Sequence, residues 1–536
     1  MSKMNERIKY PIGVQSFSEI INGNYVYVDK TEYVYHLVEE GKYYFLSRPR
    51  RFGKSLFLST LEAFFLGNRD LFKGLAMDTH ESIDWIKHPV LHLDFNAKDY
   101  TRDDLSLYNH IDGYLAKWEA EYGVEPRIRD LDTRFADVIT AAYQKTGRQV
   151  VILIDEYDRP LLQNLSKERQ PRQALFRDML KGFFGVLKSC DQYIRFAFLT
   201  GITKFGRVSV FSDLNNLEDI TLDSKYNGIC GITESELSDN LKSGIENLAK
   251  ANDLSFEETC GRLKLSYDGY RFSFRKNEGI YNPFSVLNVL KKEEFGDYWF
   301  QTATPTMLVE LLRDCDTDLT QLDGASRGEN ELMGLDPVLS DPIPVLFQSG
   351  YLTIKDTMMV GRKKMYRLGF PNEEVEDGFL EALLPFYVNR KTVSDGTELS
   401  SRCIAALRVG DVDGFMLILK SLLAGVPYSE SGENRKRIHE GRFRDVLFII
   451  CRLMGLTVHC ELHTALGRID MIVETDSYVY VMEFKVDKLP EEALAQVEDR
   501  HYADRYLADS RTVVKVGVEF STRERNISAW AVSDIS

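Results

Sequence analysis

Four short apolar runs, spaced by stretches with helical periodicity, leave the first half of this chain very few ways to fold. YYFLS (43–47), VLHLDF (90–95), VVILID (150–155) and RFAFLT (195–200) are too short for helices and read as strands. Strands alternating with amphipathic helices predict a parallel sheet wrapped by helices on both faces over residues 1–235. From 236 to 390 the spacing is mostly helical, with aromatic-rich turns at YDGYRFS (267–273) and YNPFS (281–285), followed by strand-like GYLTIK (350–355) and YRLGF (366–370). That order predicts a helical lid and a small winged-helix-like region. Residues 391–536 open with helices and pass into a turn-and-strand series from TVHCEL (457–462) to VVKVGVEF (513–520), a second α/β domain. At 536 residues the chain exceeds what one hydrophobic core can hold, in keeping with this three-part division.

Composition narrows the function classes. A net charge of −15 argues against a protein that coats nucleic acid over much of its surface, because such binding rests on neutralising phosphates. A local basic patch remains compatible; ENRKRIHEGRFRD (433–445) is one candidate, and a solvated helix face is its other reading. Apolar runs such as VLFII (446–450) stop far short of the roughly 20 residues that cross a bilayer, so no membrane span is expected. The N-terminal MSKMNERIKY lacks the apolar centre of a signal peptide. Seven cysteines without a C-x-x-C pair suit a reducing compartment, and a cytoplasmic protein with core thiols is the expectation.

The first chemistry-bearing stretch is FLSRPRRFGKSL (45–56), which joins a strand-like run to the helix-like LFLSTLEAFF. A phosphate loop needs a strand end, a turn that exposes backbone N–H groups, and a helix whose positive end faces the anion. Gly53 allows close backbone approach, Lys54 can reach the β and γ phosphates, and the Ser55 hydroxyl can ligate magnesium. The full pattern has a glycine where this chain has Arg48. VVILIDEYD (150–158) ends an apolar strand in Asp155, placed to hold a magnesium shell, and Glu156, placed to polarise an attacking water. An acidic, solvated turn is the other reading. RFAFLT ends at Thr200, followed by Gly201 and Lys204, where a polar sensor of the γ phosphate would stand; a strand-end cap is the alternative.

The second stretch is GRIDMIVETDSYVYVMEFK (467–485), a D-x12-E-x-K pattern. Alternation along YVYVMEFK puts Glu483 and Lys485 on one face of a strand, and a preceding hairpin strand can bring Asp470 to the same point. Converging carboxylates beside a cation are what magnesium-dependent phosphodiester hydrolysis needs, although E-x-K is also a common surface ion pair. Helical spacing in IHEGRFRDVLFIICRLMGL upstream carries Glu440, and a helix over EEALAQVEDRHYADRY downstream carries Gln496. Glu461 is a further carboxylate candidate. His439, His459 and His463 lack the spacing of a zinc site and read as structural or surface residues.

VYVDKT (26–31), SRPRRFGKSL (47–56), LIDEYD (153–158), FLTGITKF (198–205) and FSDLNNLEDIT (211–221) together resemble the AAA-ATPase-like domain found in many bacterial proteins, and the likeness runs on through YDGYRF, YNPFSVL and GYLTIK. The Arg-rich loop with Arg48 is a feature of that group. The resemblance implies a P-loop that binds ATP with magnesium, with Arg50 or Arg51 adding charge beside the phosphates, unless either packs against an acidic neighbour. Arg207 is one candidate for an arginine finger. The last third resembles the PD-(D/E)xK nuclease domain that often follows it. By that resemblance Asp470 and Glu483 are metal ligands for Mg2+ or Mn2+, Lys485 orients or activates water, and Glu440 and Gln496 match accessory positions. Phe443 and Arg444 stand where related domains carry a Tyr-His pair, which leaves an accessory role there open. The expectation is an ATPase coupled to a metal-dependent nuclease acting on DNA or RNA, compatible with a homo-oligomer. Two alternatives stand beside it: a nucleotide-dependent switch or scaffold whose nuclease-like domain binds nucleic acid without cutting it, and a nuclease whose P-loop binds nucleotide without hydrolysing it.

Overall fold

The computed structural model describes residues 8–125, 130–204, 210–211, 214, 216–275, 278–299, 311–312, 315, 317–334, 341–388, 393–423, 435–453, 455–463, 467–524 and 526–535. The chain divides into two compact units: Met1–Asp316 with Asp323–Glu376, and Thr317–Leu322 with Asp377–Ser536. No described helix is long and apolar enough to cross a membrane.

The first unit is built on a five-stranded parallel sheet. In chain order it comprises α1 (Thr31–Glu40), β1 (Tyr43–Ser47), α2 (Lys54–Phe65), β2 (Val90–Asp94), α3 (Ser106–Tyr122), α4 (Leu131–Thr146), β3 (Val150–Asp155), α5 (Gln170–Ser189), β4 (Ile194–Gly201) and the short β5 (Glu218–Asp219). The strands lie in the order β2-β3-β4-β1-β5, all parallel. Every residue of β1 and β3 is buried, as expected for strands covered on both faces, whereas edge strand β2 alternates. Helix α4 buries Leu131, Phe135, Val138, Ile139 and Ala142 at helical spacing, and Phe135 stacks on Phe183 of α5 with ring centroids 4.3 Å apart.

Three helices follow: α6 (Glu234–Ala251), α7 (Phe256–Tyr267) and α8 (Pro283–Lys292). Their ends are legible in the sequence. Thr233 with Glu236 and Ser255 with Glu258 form capping boxes, while Asn282 caps α8 with Pro283 at the first position. They share a core of Leu237, Leu241, Ile245, Leu263, Val286 and Val289, against which Tyr10 packs. A three-stranded antiparallel sheet completes the unit, with β6 (Ser326–Gly328), β7 (Thr353–Val360) and β8 (Lys363–Gly369) in the order β6-β8-β7.

The second unit contains α9 (Glu373–Val388) from Asp377 onward, α10 (Val393–Arg408), α11 (Val412–Leu423), α12 (Arg435–Leu453), β9 (Thr457–His463), β10 (Arg468–Glu474), β11 (Tyr478–Val486), α13 (Pro490–Asp499), β12 (Thr512–Ser521) and β13 (Asn526–Ile535). Its sheet runs β13-β12-β11-β10-β9, with β11 and β12 parallel and the other pairs antiparallel. Two details depart from the sequence reading. Helix α13 stops at Asp499 instead of continuing to Tyr506, and His501 just beyond it takes a left-handed φ of 52°. The final strand β13 was not foreseen. All seven cysteines are free thiols, four of them fully buried.

One buried acid of the first unit makes a test of this packing. Glu374 accepts hydrogen bonds from the backbone N–H groups of Tyr298 (2.6 Å) and Trp299 (2.8 Å) and from the Ser285 hydroxyl (2.7 Å). Burial nevertheless dominates and pushes its carboxyl up to about 7. A folded-state value above the unfolded one contributes stability that is present at acid pH and lost as the pH rises through about 7. The thermal unfolding midpoint should therefore fall between about pH 5 and pH 8, and Glu374→Gln, which keeps the shape and removes the titration, should flatten that fall. An identical pH profile in the variant would contradict the assignment.

Candidate functional site

Strand order decides the first site. Because β4 lies between β1 and β3, the carboxyl ends of three adjacent strands meet the loop that leads into α2. Gly53 at the helix N-cap has φ 95°, a conformation costly for any other residue, and it turns the first N–H groups of α2 toward the loop. The Ser55 hydroxyl donates to Asp155 Oδ2 (2.5 Å), and the Thr200 hydroxyl donates to Asp155 Oδ1 (2.5 Å). The backbone N–H of Glu156 in turn donates to Thr200 Oγ1 (3.3 Å). Glu156 has a left-handed φ of 49°, and its carboxylate lies 3.5 Å from Arg159. Lys54 is buried, and its ammonium donates to the carbonyls of Arg48 (2.9 Å) and Pro49 (3.1 Å), so it occupies the inside of the loop.

The loop arginines divide their work. Arg48, the residue that breaks the glycine pattern, turns inward and is 1% exposed. Its guanidinium donates to the carbonyls of Ser47 (2.9 Å), Thr221 (2.6 Å) and Tyr226 (3.0 Å) and lies 4.2 Å from the Phe272 ring centre. Burial pulls its pKa down to about 10, so it stays charged near neutrality. Arg48 thus ties the loop to the segment after β5. Arg51, with φ 69°, is exposed and stacks 4.9 Å above Phe284, while the Arg50 carbonyl accepts from the Trp299 indole (3.2 Å). Lys204 pairs with Asp219. Arg207 lies outside the described residues.

The sequence reading gave no role to Asp158, although it belongs to the quoted motif. It is fully buried and accepts from the N–H groups of Ile202 (3.0 Å) and Thr203 (2.6 Å) and from the Thr203 hydroxyl (2.7 Å), pinning the chain after β4 to the end of β3. Burial raises its carboxyl to about 6. Beside the loop an apolar cavity of about 90 Å³ is walled by Phe52, Gly53 and Leu56, by Val26 and Val28 ahead of α1, and by Ile232 and Leu287.

The second site sits where β10 and β11 pair. The ladder joins Met471 to Met482, so one step further Asp470 and Glu483 face each other, with Lys485 on the same side. Asp470 accepts from the Phe484 N–H (2.9 Å), Lys485 donates to Glu483 Oε1 (3.0 Å), and the Gln496 amide on α13 donates to the same oxygen. Glu483 Oε2 is buried and has no hydrogen-bond partner. Burial, then repulsion from Asp470, lifts the Glu483 carboxyl to about 7, and burial raises Asp470 as well. Glu461 is engaged at both oxygens, by Arg444 on one and Arg468 (2.9 Å) on the other, and Arg444 also reaches Asp318 (2.7 Å). His459 is half-exposed, 3.7 Å from Glu474. The side chains of His439, Glu440, Phe443 and His463 lie outside the described residues, as does the cationic part of the 433–445 patch up to Arg442.

Neither site is a closed metal cage; among the described residues no group of three or more His, Cys, Asp or Glu side chains converges as one. Both donor sets fit magnesium, which takes one or two carboxylates and keeps its remaining positions for water and phosphate oxygens. At the second site the fit rests on the bare, buried Glu483 Oε2 beside a second desolvated carboxylate. At the first it rests on the oxygen pair Ser55 and Asp155 at a helix N-terminus.

Gln496 reaches Glu483 because α13 lies directly on the sheet. Gly517 of β12 stands opposite Glu483, and a Cβ there would collide with the Pro490 carbonyl and come 2.9 Å from the Leu494 nitrogen. Gly517→Ala should push α13 outward, and both it and Gln496→Ala should weaken divalent-ion binding by roughly 10- to 100-fold, read by calorimetry. Parent-like affinity in both would show that Gln496 does not position Glu483.

Both domains have counterparts among known protein families. Residues 11–211 match a family model described as a predicted AAA-ATPase, and residues 438–530 match the PD-(D/E)XK nuclease superfamily. A protein from Azotobacter chroococcum mcd 1, described as an uncharacterized protein in the vnfD 5′ region, is 36% identical over 540 residues, which cover 99% of each chain. The chain belongs to the family of predicted AAA-ATPases that carry a C-terminal PD-(D/E)XK nuclease superfamily domain.

Proposed function

We propose that this protein binds and hydrolyses magnesium-ATP at the Lys54 loop and cleaves nucleic-acid phosphodiesters at the Asp470–Glu483 site, with the nucleotide state gating cleavage. The observation that carries the reading is a pair of facing, desolvated carboxylates: Glu483 is paired with Lys485, Asp470 lies opposite it, and one Glu483 oxygen has no partner. Such a pair is costly unless a cation completes it.

At the nucleotide site the backbone from Arg50 to Gly53 and the start of α2 receive the phosphates, with Arg50 and Arg51 adding charge. Lys54 exchanges its two carbonyl partners for phosphate oxygens. Ser55 and Asp155 would hold the magnesium ion, Glu156 orients water and takes its proton, and Thr200 fixes Asp155. The apolar cavity beside Gly53 receives the base. At the nuclease site a bound Mg2+ or Mn2+ ion supplies Lewis-acid stabilisation and a water nucleophile. Asp470 and the free oxygen of Glu483 hold it, Gln496 keeps Glu483 in place, and Lys485 orients the water.

Two substitutions test the nucleotide site. Lys54→Ala should lower ATP affinity without unfolding the protein, and Glu156→Gln should retain ATP yet slow its hydrolysis by roughly 10²- to 10⁴-fold. Turnover equal to the parent in Glu156→Gln would reduce Glu156 to a strand-end residue, and unchanged affinity in Lys54→Ala would remove the phosphate-loop assignment.

The nuclease assignment divides metal binding from catalysis. Asp470→Ala and Glu483→Ala should abolish both divalent-ion binding and cleavage of labelled DNA or RNA, whereas Lys485→Ala should abolish cleavage and leave ion binding largely intact, because an ammonium is not a magnesium ligand. Cleavage by none of the proteins, parent included, under any metal or nucleotide condition would favour a nucleic-acid-binding switch.

A further inference from the structure

The hairpin of β7 and β8 ends in a tip that the first unit does not cover. All residues from Asp356 to Lys364 are exposed, so the ribbon meets solvent on both faces. Met358, Met359 and Val360 are 40%, 64% and 59% exposed, the only run of consecutive large apolar residues left bare among the described residues. Next to them stand Arg362, Lys363 and Lys364. Burying no apolar surface and concentrating three cations in a chain of net charge −15 is a poor solution for folding, which directs attention to a partner.

The geometry points to that partner. Val360 pairs with Lys363 across a two-residue turn in which Gly361 has φ 61°, so the tip is narrow. Cross-strand partners share a face, which gives one face Met358, Val360 and Lys363 and the other Met359 and Lys364. Lys364 is anchored to the Phe274 carbonyl (3.2 Å), while Arg362 and Lys363 make no ion pair among the described residues. The one acid of the ribbon, Asp356, faces Arg367 at 3.9 Å. Two copies meeting edge to edge at this tip would bring six cations together, which disfavours self-association. The cleft of about 790 Å³ at the root of the hairpin sets Asp219, Asp223 and Glu329 against Lys204, Arg275 and Lys364, so the unbalanced cations are Arg362 and Lys363.

We propose that the β7–β8 hairpin tip is a docking element for duplex DNA, entering the major groove with Met358 and Val360 against base edges and with Arg362 and Lys363 reaching from the tip to the phosphates. The proposal rests on the nucleic-acid substrate assigned above. Five exposed residues of β7 give a reach of roughly 16 Å, and a two-stranded ribbon fits a B-form major groove about 12 Å wide. The deep, narrow major groove of duplex RNA does not admit it.

The test measures binding of the full chain, in chelator so that nothing is cut, to fluorescein-labelled DNA and RNA duplexes across a salt series. Arg362→Gln with Lys363→Gln should weaken DNA binding by roughly ten-fold near 0.1 M salt and reduce the slope of log affinity against log salt by about two. Met358→Ser with Val360→Ser should weaken it without changing the slope. RNA duplex affinity should not respond to either pair. DNA binding by the parent that both variants retain would overturn the hairpin proposal and leave the nuclease reading intact; a parent that binds neither duplex would overturn both. Equal losses on RNA would overturn groove entry. Binding of phosphatidylserine vesicles lost in the variants, with duplex binding unaffected, would overturn DNA in favour of a lipid surface.

Discussion

Asp155 is the point on which the first unit turns. It ends a strand buried along its whole length, and its two oxygens are held by hydroxyls from different elements, Ser55 at the start of α2 and Thr200 at the end of β4. Neutral donors fix the carboxylate without cancelling its charge, so geometry is settled while affinity for a cation is kept. The same economy governs the strand ends around it. Asp158 pins the chain after β4, and Arg48 pins the loop before α2 to carbonyls after β5, each by bonds a buried backbone would otherwise lack.

Arg48 also explains how the proposed phosphate loop can do without its first glycine. A glycine there would let the chain turn freely; an inward arginine holds the turn by three carbonyl bonds and a ring contact worth about 0.5–2 kcal/mol. Its positive charge is spent on structure and not on the ligand proposed for the loop.

The second unit solves a similar problem with different parts. Antiparallel pairing of β10 and β11 opposes two acids, and the sheet gives them one lysine and one amide from α13. That helix approaches because Gly517 offers no side chain to hold it off. The pair of acids is held in place by something larger, here a core in which the same two strands bury Ile469, Ile472, Val479 and Val481.

The sequence by itself determined the element types and much of their limits: the four apolar runs are the four main strands of the parallel sheet, the capping boxes mark α6 and α7, and the 13-residue step from Asp470 to Glu483 is the hairpin that opposes them. These are local signals, carried by period and spacing. It also singled out Ser55, Asp155, Thr200, Glu483, Lys485 and Gln496 as candidates. What only tertiary structure decided is which of them touch. Strand order, set by crossovers that leave no mark on local periodicity, put β4 between β1 and β3 and so delivered Thr200 to Asp155. Packing in three dimensions made Arg48 a clamp, engaged Glu461 with Arg444 and Arg468, and left the β7–β8 tip in solvent. Those outcomes depend on partners more than a hundred residues away in some cases, and a linear pattern has no term for them.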